Sequence, residues 1–326
     1  MGKSNRSNQR HKKNIAIVGH LVRDRIIRFD GYKTEAPGGI AYSLAASGAV
    51  ADTSTKIFPV CNVGRDMIQT VAETYDKFPA IDLSAIRVIN RPNKIHELSY
   101  QSEGYRRELN IGAMPIIRPL LFRRIPNIDI AWLNYIGGDE FPPKYIKYIK
   151  SRYKPLIYMD YHSLSLGKRL ISKFPRKAER FFRYNPHWSG YVSLADIVQM
   201  NYIELKSILP GTRNEIDSII ESARIIQKAG PQVVIITRED KELIVVEKKD
   251  HLIKAHTLEV KSARVVDPTG CGDSLGAGFI AGYIRGWDVV KSCQFGLELA
   301  HKKVSFSGLG GFTKLKLEYQ QNSYHL

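Results

Sequence analysis

The sequence alternates between short apolar segments and longer segments of helical character along most of its length. The apolar segments are rich in valine and isoleucine and cover residues 14–19, 56–60, 128–134, 156–160, 197–200 and 232–237. Helical segments neighbour them at residues 40–48, 67–77, 144–152 and 215–229, and the lysine- and arginine-rich stretch after residues 156–160 is also predicted to be helical. Repeated strand–helix alternation is typical of a parallel sheet with helices on both faces. We therefore predict an α/β fold with a central, mostly parallel sheet.

The pattern changes between residues 94 and 111. Polar and apolar residues alternate there on both sides of the Ser-Glu-Gly sequence at 102–104, which is a hairpin signal. We expect this hairpin to pair with strands from about residues 24–36 and to form a small β-sheet lid over the main body. A chain of 326 residues can form one large α/β domain, and we assign residues 14–315 to it.

The chain carries a formal net charge of +17, part of it near the N-terminus. Residues 1–13 are basic and polar, so we predict a disordered tail, and residues 316–326 are assigned to a C-terminal tail. A basic surface attracts anionic small ligands and binds nucleic acid non-specifically. Because no recognition helix, zinc finger or aromatic RNA-binding pattern accompanies the charge, we expect no specific nucleic-acid partner.

The number and spacing of the cysteines, together with hydropathy, predict the cellular compartment. Cys61, Cys271 and Cys293 are odd in number and lack metal-ligand spacing, which is typical of a reducing cytoplasm. No run approaches the roughly 18 uncharged apolar residues of a membrane span, and no apolar segment follows the basic start as in a signal peptide. We expect a cytoplasmic protein without a membrane partner.

A run of extended, β-branched character at residues 260–266 stops at Asp267-Pro268. Residues 267–273 read Asp-Pro-Thr-Gly-Cys-Gly-Asp and lead into a segment of small and apolar residues through Ile284. That segment is predicted to be a helix beginning near Gly272. A helix N-terminus offers unpaired N–H groups and partial positive charge, and Gly270 lets the backbone approach a ligand. Asp273 then lies where it accepts a proton from a hydroxyl attacking the bound anion. The alternative is a plain turn with Asp273 as a helix cap.

This segment resembles the second signature of the PfkB, or ribokinase-like, family of carbohydrate kinases, Asp-Thr-x-Gly-Ala-Gly-Asp, with cysteine in the alanine position. The resemblance implies a ribokinase-like fold and transfer of the γ-phosphoryl group of ATP to a hydroxyl of a small sugar-like substrate. It implies that Asp273 is the general base. The backbone of Gly270, Cys271 and Gly272 would form the anion hole, with Gly270 and Gly272 also binding nucleotide.

The resemblance extends to the substrate side. An aspartate five residues after the first strand binds the sugar in the family, which implies that role for Asp24. The glycine pair Gly38-Gly39 corresponds to the family's hinge beneath the lid. Val22 and Ser43 stand where sugar kinases carry asparagine, so an altered substrate is expected. Substrate contacts are also predicted for Asp160, at a strand end, and for Arg107, on the lid hairpin.

The nucleotide and metal motifs are more divergent. Asn201 and Glu204 match the family's Asn-x-x-Glu motif for Mg²⁺ and phosphate; the alternative is a helix cap with an acid in the first turn. Thr237 is expected to bind nucleotide, yet Glu239 and Glu242 replace the two glycines that follow it in the family. Either this loop has moved, or nucleotide binding is weakened or changed.

The final loop, residues 305–311, resembles the family's last nucleotide-binding loop and contributes Gly308. With it, Asp267 and Thr269 are predicted to bind a monovalent cation such as K⁺. An apolar lid sheet favours a homodimer through the lid. Two other functions stay open: a nucleoside or inositol-like polyol kinase, and a noncatalytic ligand-binding or regulatory protein on the same fold.

Overall fold

The computed structural model describes residues 12–28, 30–102, 105–250 and 252–322. Residues 1–11 of the predicted basic tail therefore lie outside the described residues. Residue Lys13, which we had assigned to that tail, begins the first strand and its ammonium pairs with Asp129 at 3.1 Å.

The core of the fold is an eight-stranded sheet. Six central strands are parallel and two antiparallel strands complete one edge, in the order β16-β15-β14-β13-β10-β9-β1-β4. Its strands are β1 Lys13–Val18, β4 Thr55–Val60, β9 Ile130–Asn134, β10 Leu156–Asp160, β13 Ile197–Asn201, β14 Val233–Thr237, β15 Glu242–Lys249 and β16 Leu252–Glu259. The parallel strands are almost wholly buried because helices cover both faces, which explains their continuous apolar composition. The predicted α/β fold is confirmed.

Nine helices are present in the described part of the chain. They are α1 Ala41–Val50, α2 Ile68–Tyr75, α3 Pro143–Tyr153, α4 Trp188–Val192, α5 Tyr202–Ile208, α6 Ile216–Lys228, α7 Cys271–Ile284, α8 Val289–Lys303 and α9 Gly311–Asn322. Helix α6 shows why they form where they do: Ile219, Ala223 and Ile226 recur at helical spacing and are buried, and the remaining face is mostly polar.

A second, six-stranded sheet forms the lid, in the order β11-β12-β8-β7-β2-β3. Its strands are β2 Leu21–Ile27, β3 Lys33–Gly39, β7 Ile95–Ser102, β8 Tyr105–Ile111, β11 Leu166–Lys173 and β12 Arg176–Phe182, and a two-stranded sheet pairs β5 Asn62–Gly64 with β6 Arg87–Ile89. The four strands near residues 24–36 and 94–111 were predicted. The hairpin β11–β12 was not, because we interpreted its many lysines and arginines as a basic helix. That prediction was wrong: alternate residues such as Ala178 and Arg180 are buried, the period of a strand.

Two other boundaries differ from the prediction. Residues 316–322, which we assigned to a C-terminal tail, continue helix α9, whose Leu315 packs into the core; residues 323–326 lie outside the described residues. The β-branched run at 260–266 forms no strand; Val265 and Val266 are exposed, and β16 ends before them.

Helices α7 and α8 pack unusually closely. A side-chain carbon at Gly278 would lie 2.6 Å from the Cα of Gly296, and one at Gly276 would lie 2.8 Å from the ring of Trp132. The small-residue composition of α7 therefore reflects close helix–helix and helix–sheet contact. This contact fixes the position of the α7 N-terminus above the carboxyl ends of the central strands.

No helix in the described ranges is both long and apolar enough to cross a membrane.

Candidate active site

Three polar side chains from three elements meet at the start of α7. Asp273 lies in the first turn of α7, Ser43 in the first turn of α1, and Asn134 at the end of β9. The Ser43 hydroxyl donates a hydrogen bond to Asp273 Oδ1. The Asn134 amide donates both to Asp273 Oδ1 (2.8 Å) and to Ser43 Oγ (2.7 Å). Both donors therefore hold the same carboxylate oxygen, Oδ1.

The charge state of Asp273 reflects opposing influences. Burial raises its pKa above the ordinary aspartate value, whereas the hydrogen bonds from Ser43 and Asn134 and the charge of His162 lower it. Burial also raises the pKa of Asp160 well above its ordinary value, and the nearby carboxylates of Glu204 and Asp273 add to that rise. Three carboxyl groups therefore lie close together, near the carboxyl ends of β10 and β13 and the N-terminus of α7.

The turn before α7, which we predicted to form an anion hole, differs from that prediction at one donor. Gly270 is the N-cap residue with φ of +83°, and a side chain there would collide with the ring of Tyr42. The Cys271 N–H, however, donates to the Pro268 carbonyl at 3.1 Å. It is therefore engaged within the turn, and the predicted anion hole loses one of its donors. The Gly272 N–H has no acceptor among the residues that the structure describes.

Gln199, near the end of β13, supports this turn from the sheet. Its amide donates to the Gly272 carbonyl (3.0 Å) and approaches Asp160 Oδ2 (3.4 Å), while its own carbonyl accepts from the Tyr158 hydroxyl (2.5 Å). Our sequence reasoning missed both Gln199 and Asn134. The available signal was a polar residue at or next to the carboxyl end of a buried parallel strand.

Asn201 and Glu204 form a reciprocal capping box at the start of α5. Asn201 Oδ1 accepts from the Glu204 N–H (2.8 Å), and Glu204 Oε2 accepts from the Asn201 N–H (2.9 Å). The other Glu204 oxygen lies 3.2 Å from His162 Nδ1. Burial opposes charging of His162, yet Glu204 outweighs it and raises the His162 pKa above its ordinary value. Both side chains therefore cap α5, which is the alternative that we gave for this motif. Among the described residues, no group of three His, Cys, Asp or Glu side chains is arranged to hold a metal ion.

On the lid side, Asp24 and the predicted glycine pair are in contact. A side-chain carbon at Gly38 would lie 1.9 Å from Asp24 Oδ2, and one at Gly39 would lie 2.2 Å from the His20 carbonyl. Asp24 Oδ1 is buried and has no hydrogen-bond donor in the described part of the chain; His96 Nδ1 lies 3.6 Å from it. Asp24 therefore presents an unsatisfied acceptor.

Arg180 of the hairpin β11–β12 ties this face of the lid to the main body. Its side chain is 2% exposed and donates to His96 Nε2 at 2.9 Å and to the Ser163 hydroxyl, with Glu108 Oε2 at 3.7 Å. Because the hairpin was mistaken for a helix, Arg180 was not among the predicted site residues.

Arg107 lies on the other face of the lid. Asp24 and His96 are cross-strand partners, whereas Arg107 pairs with Ser99, three residues further along β7. An odd separation on one strand places side chains on opposite faces. Arg107 instead donates to Glu179 at 2.9 Å. Our prediction that it contacts the substrate alongside Asp24 was wrong for this reason.

Thr237 ends β14, and the two glutamates that follow it, Glu239 and Glu242, have different surroundings. Glu239 is exposed and has φ of +52°, a left-handed conformation that glycine adopts without strain. Glu242 accepts from the buried guanidinium of Arg238 at 2.6 Å, and Arg238 also donates to Asn214. One of the two negative charges is therefore neutralised within the loop.

Asp267, Thr269 and Gly308 lie together, because Asp267 accepts hydrogen bonds from the backbone of the other two. Asp267 Oδ1 accepts from the Thr269 N–H (2.9 Å), and Oδ2 accepts from the Gly308 N–H (3.3 Å). Burial alone would raise the Asp267 pKa, but these hydrogen bonds and the charge of Lys303 hold it below its ordinary value.

Residues 184–314 match the model of the pfkB family carbohydrate kinases. The chain is 27% identical over 298 residues to the cytidine kinase of Thermococcus kodakarensis, covering 88% of this chain and 95% of that protein. It is 33% identical over 96 residues to a nucleoside kinase of Methanocaldococcus jannaschii, covering 29% of this chain and 28% of that protein.

The fold has solved counterparts. Arabidopsis thaliana ribokinase, determined with ribose and ATP, superimposes with a TM-score of 0.72 at 17% identity and covers 94% of this chain and 98% of that one. The structural likeness concerns the fold, while the family match includes the α7 turn that carries Asp273 and Gly270. Residues 184–314 therefore carry the match to the pfkB family, and the chain as a whole has the fold of the solved ribokinases.

Proposed function

We propose that this chain is an ATP-dependent phosphotransferase whose acceptor is a hydroxyl of a nucleoside. The observation that carries the proposal is the carboxylate of Asp273, fixed by Ser43 and Asn134 beside the N-terminus of α7. A base adjacent to an anion-binding helix N-terminus has the arrangement that phosphoryl transfer to an alcohol requires. A sugar-like or inositol-like acceptor is the alternative within the same reaction.

The proposed reaction follows from the positions of the side chains. Asp273 Oδ2 accepts the proton of the substrate hydroxyl as that oxygen attacks the γ-phosphorus, and the bond to the β–γ bridging oxygen breaks. The Gly272 N–H and the α7 dipole stabilise negative charge on the transferring group. Ser43 and Asn134 orient the carboxylate and keep it ionised by bonding to Oδ1.

A Mg²⁺ ion fits the side of the proposed site that would bind the phosphates of ATP, because carboxylates lie close together there. Asp160 lies near both Glu204 and Asp273, and the negative charges of these two groups contribute to the raised pKa of Asp160. We propose that the carboxylates of Asp160 and Glu204 hold Mg²⁺ chiefly through water and the substrate phosphates. Asn201 would fix the start of α5, which carries Glu204. The bound ion would neutralise charge on the phosphate oxygens.

Recognition of the acceptor is proposed on the lid side. Asp24 offers a buried acceptor oxygen without a donor, which a substrate hydroxyl would satisfy. Val22 is fully buried in the core, so the polar contact that sugar kinases have at this position is absent. The cytidine and nucleoside kinase relatives favour a nucleoside over a free sugar. The noncatalytic alternative loses support, because Arg238 neutralises Glu242 in the donor loop.

A direct assay tests the proposal. The purified chain is incubated with ATP and Mg²⁺ and, separately, with cytidine, other nucleosides, ribose or myo-inositol, and phosphorylated product is detected by mass spectrometry. We expect a nucleoside monophosphate in wild type and its formation to be about 10²–10⁴-fold slower with Asp273→Asn. If myo-inositol or ribose is phosphorylated and no nucleoside is, the acceptor is the sugar-like or inositol-like alternative. No product with any acceptor would contradict the kinase assignment. The cytoplasmic location and the lid homodimer stay predictions.

A further inference from the structure

Lys303, in the last turn of α8, is a lysine with 0% exposure whose ammonium group lies beside the α7 turn. Its Nζ donates to the Phe306 carbonyl (2.9 Å) and to the Asp267 carbonyl (3.2 Å). Asp267 Oδ2 lies 3.9 Å away. Two carbonyl oxygens and a carboxylate thus surround one buried cation.

Aromatic rings complete this enclosure. Nζ lies 4.8 Å from the centre of the Phe306 ring and 5.7 Å from that of Tyr42, within the range of cation–π attraction. The Tyr42 ring also packs against Gly270, the N-cap of α7. Lys303 therefore connects the final loop to the turn that leads into Asp273.

We propose that the Lys303 ammonium occupies the position that our sequence analysis assigned to a monovalent cation, and that the enzyme therefore works without K⁺. The oxygens that would bind K⁺ here, those of Asp267 and the final loop, are already engaged with a covalently attached cation. A K⁺ ion at the same oxygens would lie next to a like charge in a buried site. The predicted K⁺ site at Asp267 and Thr269 is thus corrected, because these residues do not fit a free ion while Lys303 is present.

A built-in cation holds the turn at all times, whereas a dissociable ion holds it only when bound. Lys303 is also in the last turn of a helix, where the helix dipole favours positive charge. Burial lowers the Lys303 pKa, but the Asp267 carboxylate opposes that change and favours the ammonium form. We assign Lys303 a positioning role, since its contacts are to the turn and the loop.

The wild-type protein gives the first test. Its melting temperature and its kinase rate are measured in KCl, NaCl and choline chloride at equal ionic strength. We expect the same values in all three salts. A rise in melting temperature or rate that is specific to K⁺ would overturn the proposal. The inference rests on the proposed kinase activity for the rate alone, so the melting temperature still tests it if no acceptor is phosphorylated.

Variants give the second test. Lys303→Ala empties the enclosure, and we expect it to lose activity and melting temperature in choline chloride and to regain both in KCl or NH₄Cl. Lys303→Met keeps most of the volume without the charge, so added cations should not restore it. Lys302→Ala is the matched control, because Lys302 is the adjacent residue and pairs on the surface with Glu318; it should show no dependence on the cation. An alanine variant with no K⁺-specific stabilisation would contradict a cation site at this position.

Discussion

The hydroxyl of Ser43 is the most informative group to remove. It has no exposed surface and donates to Asp273 Oδ1, which also accepts from Asn134. Both bonds lower the pKa of Asp273 against the effect of burial. In Ser43→Ala one of them is lost, so the pKa of Asp273 rises and the base is protonated at a higher pH than in wild type.

The expected size follows from the bond type. A hydrogen bond to a charged group contributes about 1.5–3 kcal/mol, which corresponds to roughly 10- to 100-fold in the proton equilibrium. On the acid limb of the pH profile, where kcat/KM is proportional to the ionised fraction of Asp273, activity should therefore fall about 10- to 100-fold. At higher pH, where the base is ionised in both proteins, the difference should become much smaller. The assay is kcat/KM for phosphoryl transfer as a function of pH.

Ser47→Ala is the matched control. Ser47 lies one turn further along α1, is buried, and its hydroxyl has no partner within the described residues. Its removal should leave the acid limb unchanged. If Ser43→Ala lowers activity by the same factor at every pH, the hydroxyl does not act through the ionisation of Asp273, and the argument is wrong.

Four other substitutions test separate parts of the structure. Asp273→Asn keeps the shape of the base and should lower the rate by about 10²–10⁴ with little change in melting temperature; near wild-type turnover would remove Asp273 from the mechanism. Glu239→Gly should stabilise the fold by on the order of 1 kcal/mol in urea denaturation, because it relieves a left-handed conformation. Glu242→Gly should destabilise it by about 2 kcal/mol in the same assay, since buried Arg238 loses its carboxylate; equal effects of the two glycines would contradict this distinction. Arg180→Met should raise the KM for the acceptor more than it lowers kcat, and an unchanged KM would show that the lid contacts of Arg180 do not shape the substrate side.

The sequence predicted the elements whose pattern is local. The buried parallel strands could be recognised from continuous apolar composition, and the α7 turn from its glycines and Asp273. These features depend on backbone conformation and burial over a few neighbouring residues. The hairpin β11–β12 was missed because its lysines and arginines are interrupted only by isolated buried residues such as Ala178.

The candidate site was predicted in part for a related reason. Asp24, Ser43 and Asp273 could be named one by one, but their partners come from distant strands. Asn134 meets Asp273 across 139 positions and Gln199 meets Gly272 across 73 positions. Only the strand order brings such residues together, and charge or spacing along the chain does not reveal it. Sequence spacing likewise did not show that Lys303 would reach the carbonyl of Asp267.

The close glycine contact between α7 and α8 makes the catalytic side of the site less sensitive to salt than the lid side. The helix that carries Asp273 is held by apolar, uncharged contact at Gly278 and Gly296, which salt and proton concentration hardly affect. The facing lid is held by ionisable groups, among them His96 and Arg180. Ionic strength should therefore alter the binding of the acceptor before it alters the position of the catalytic helix.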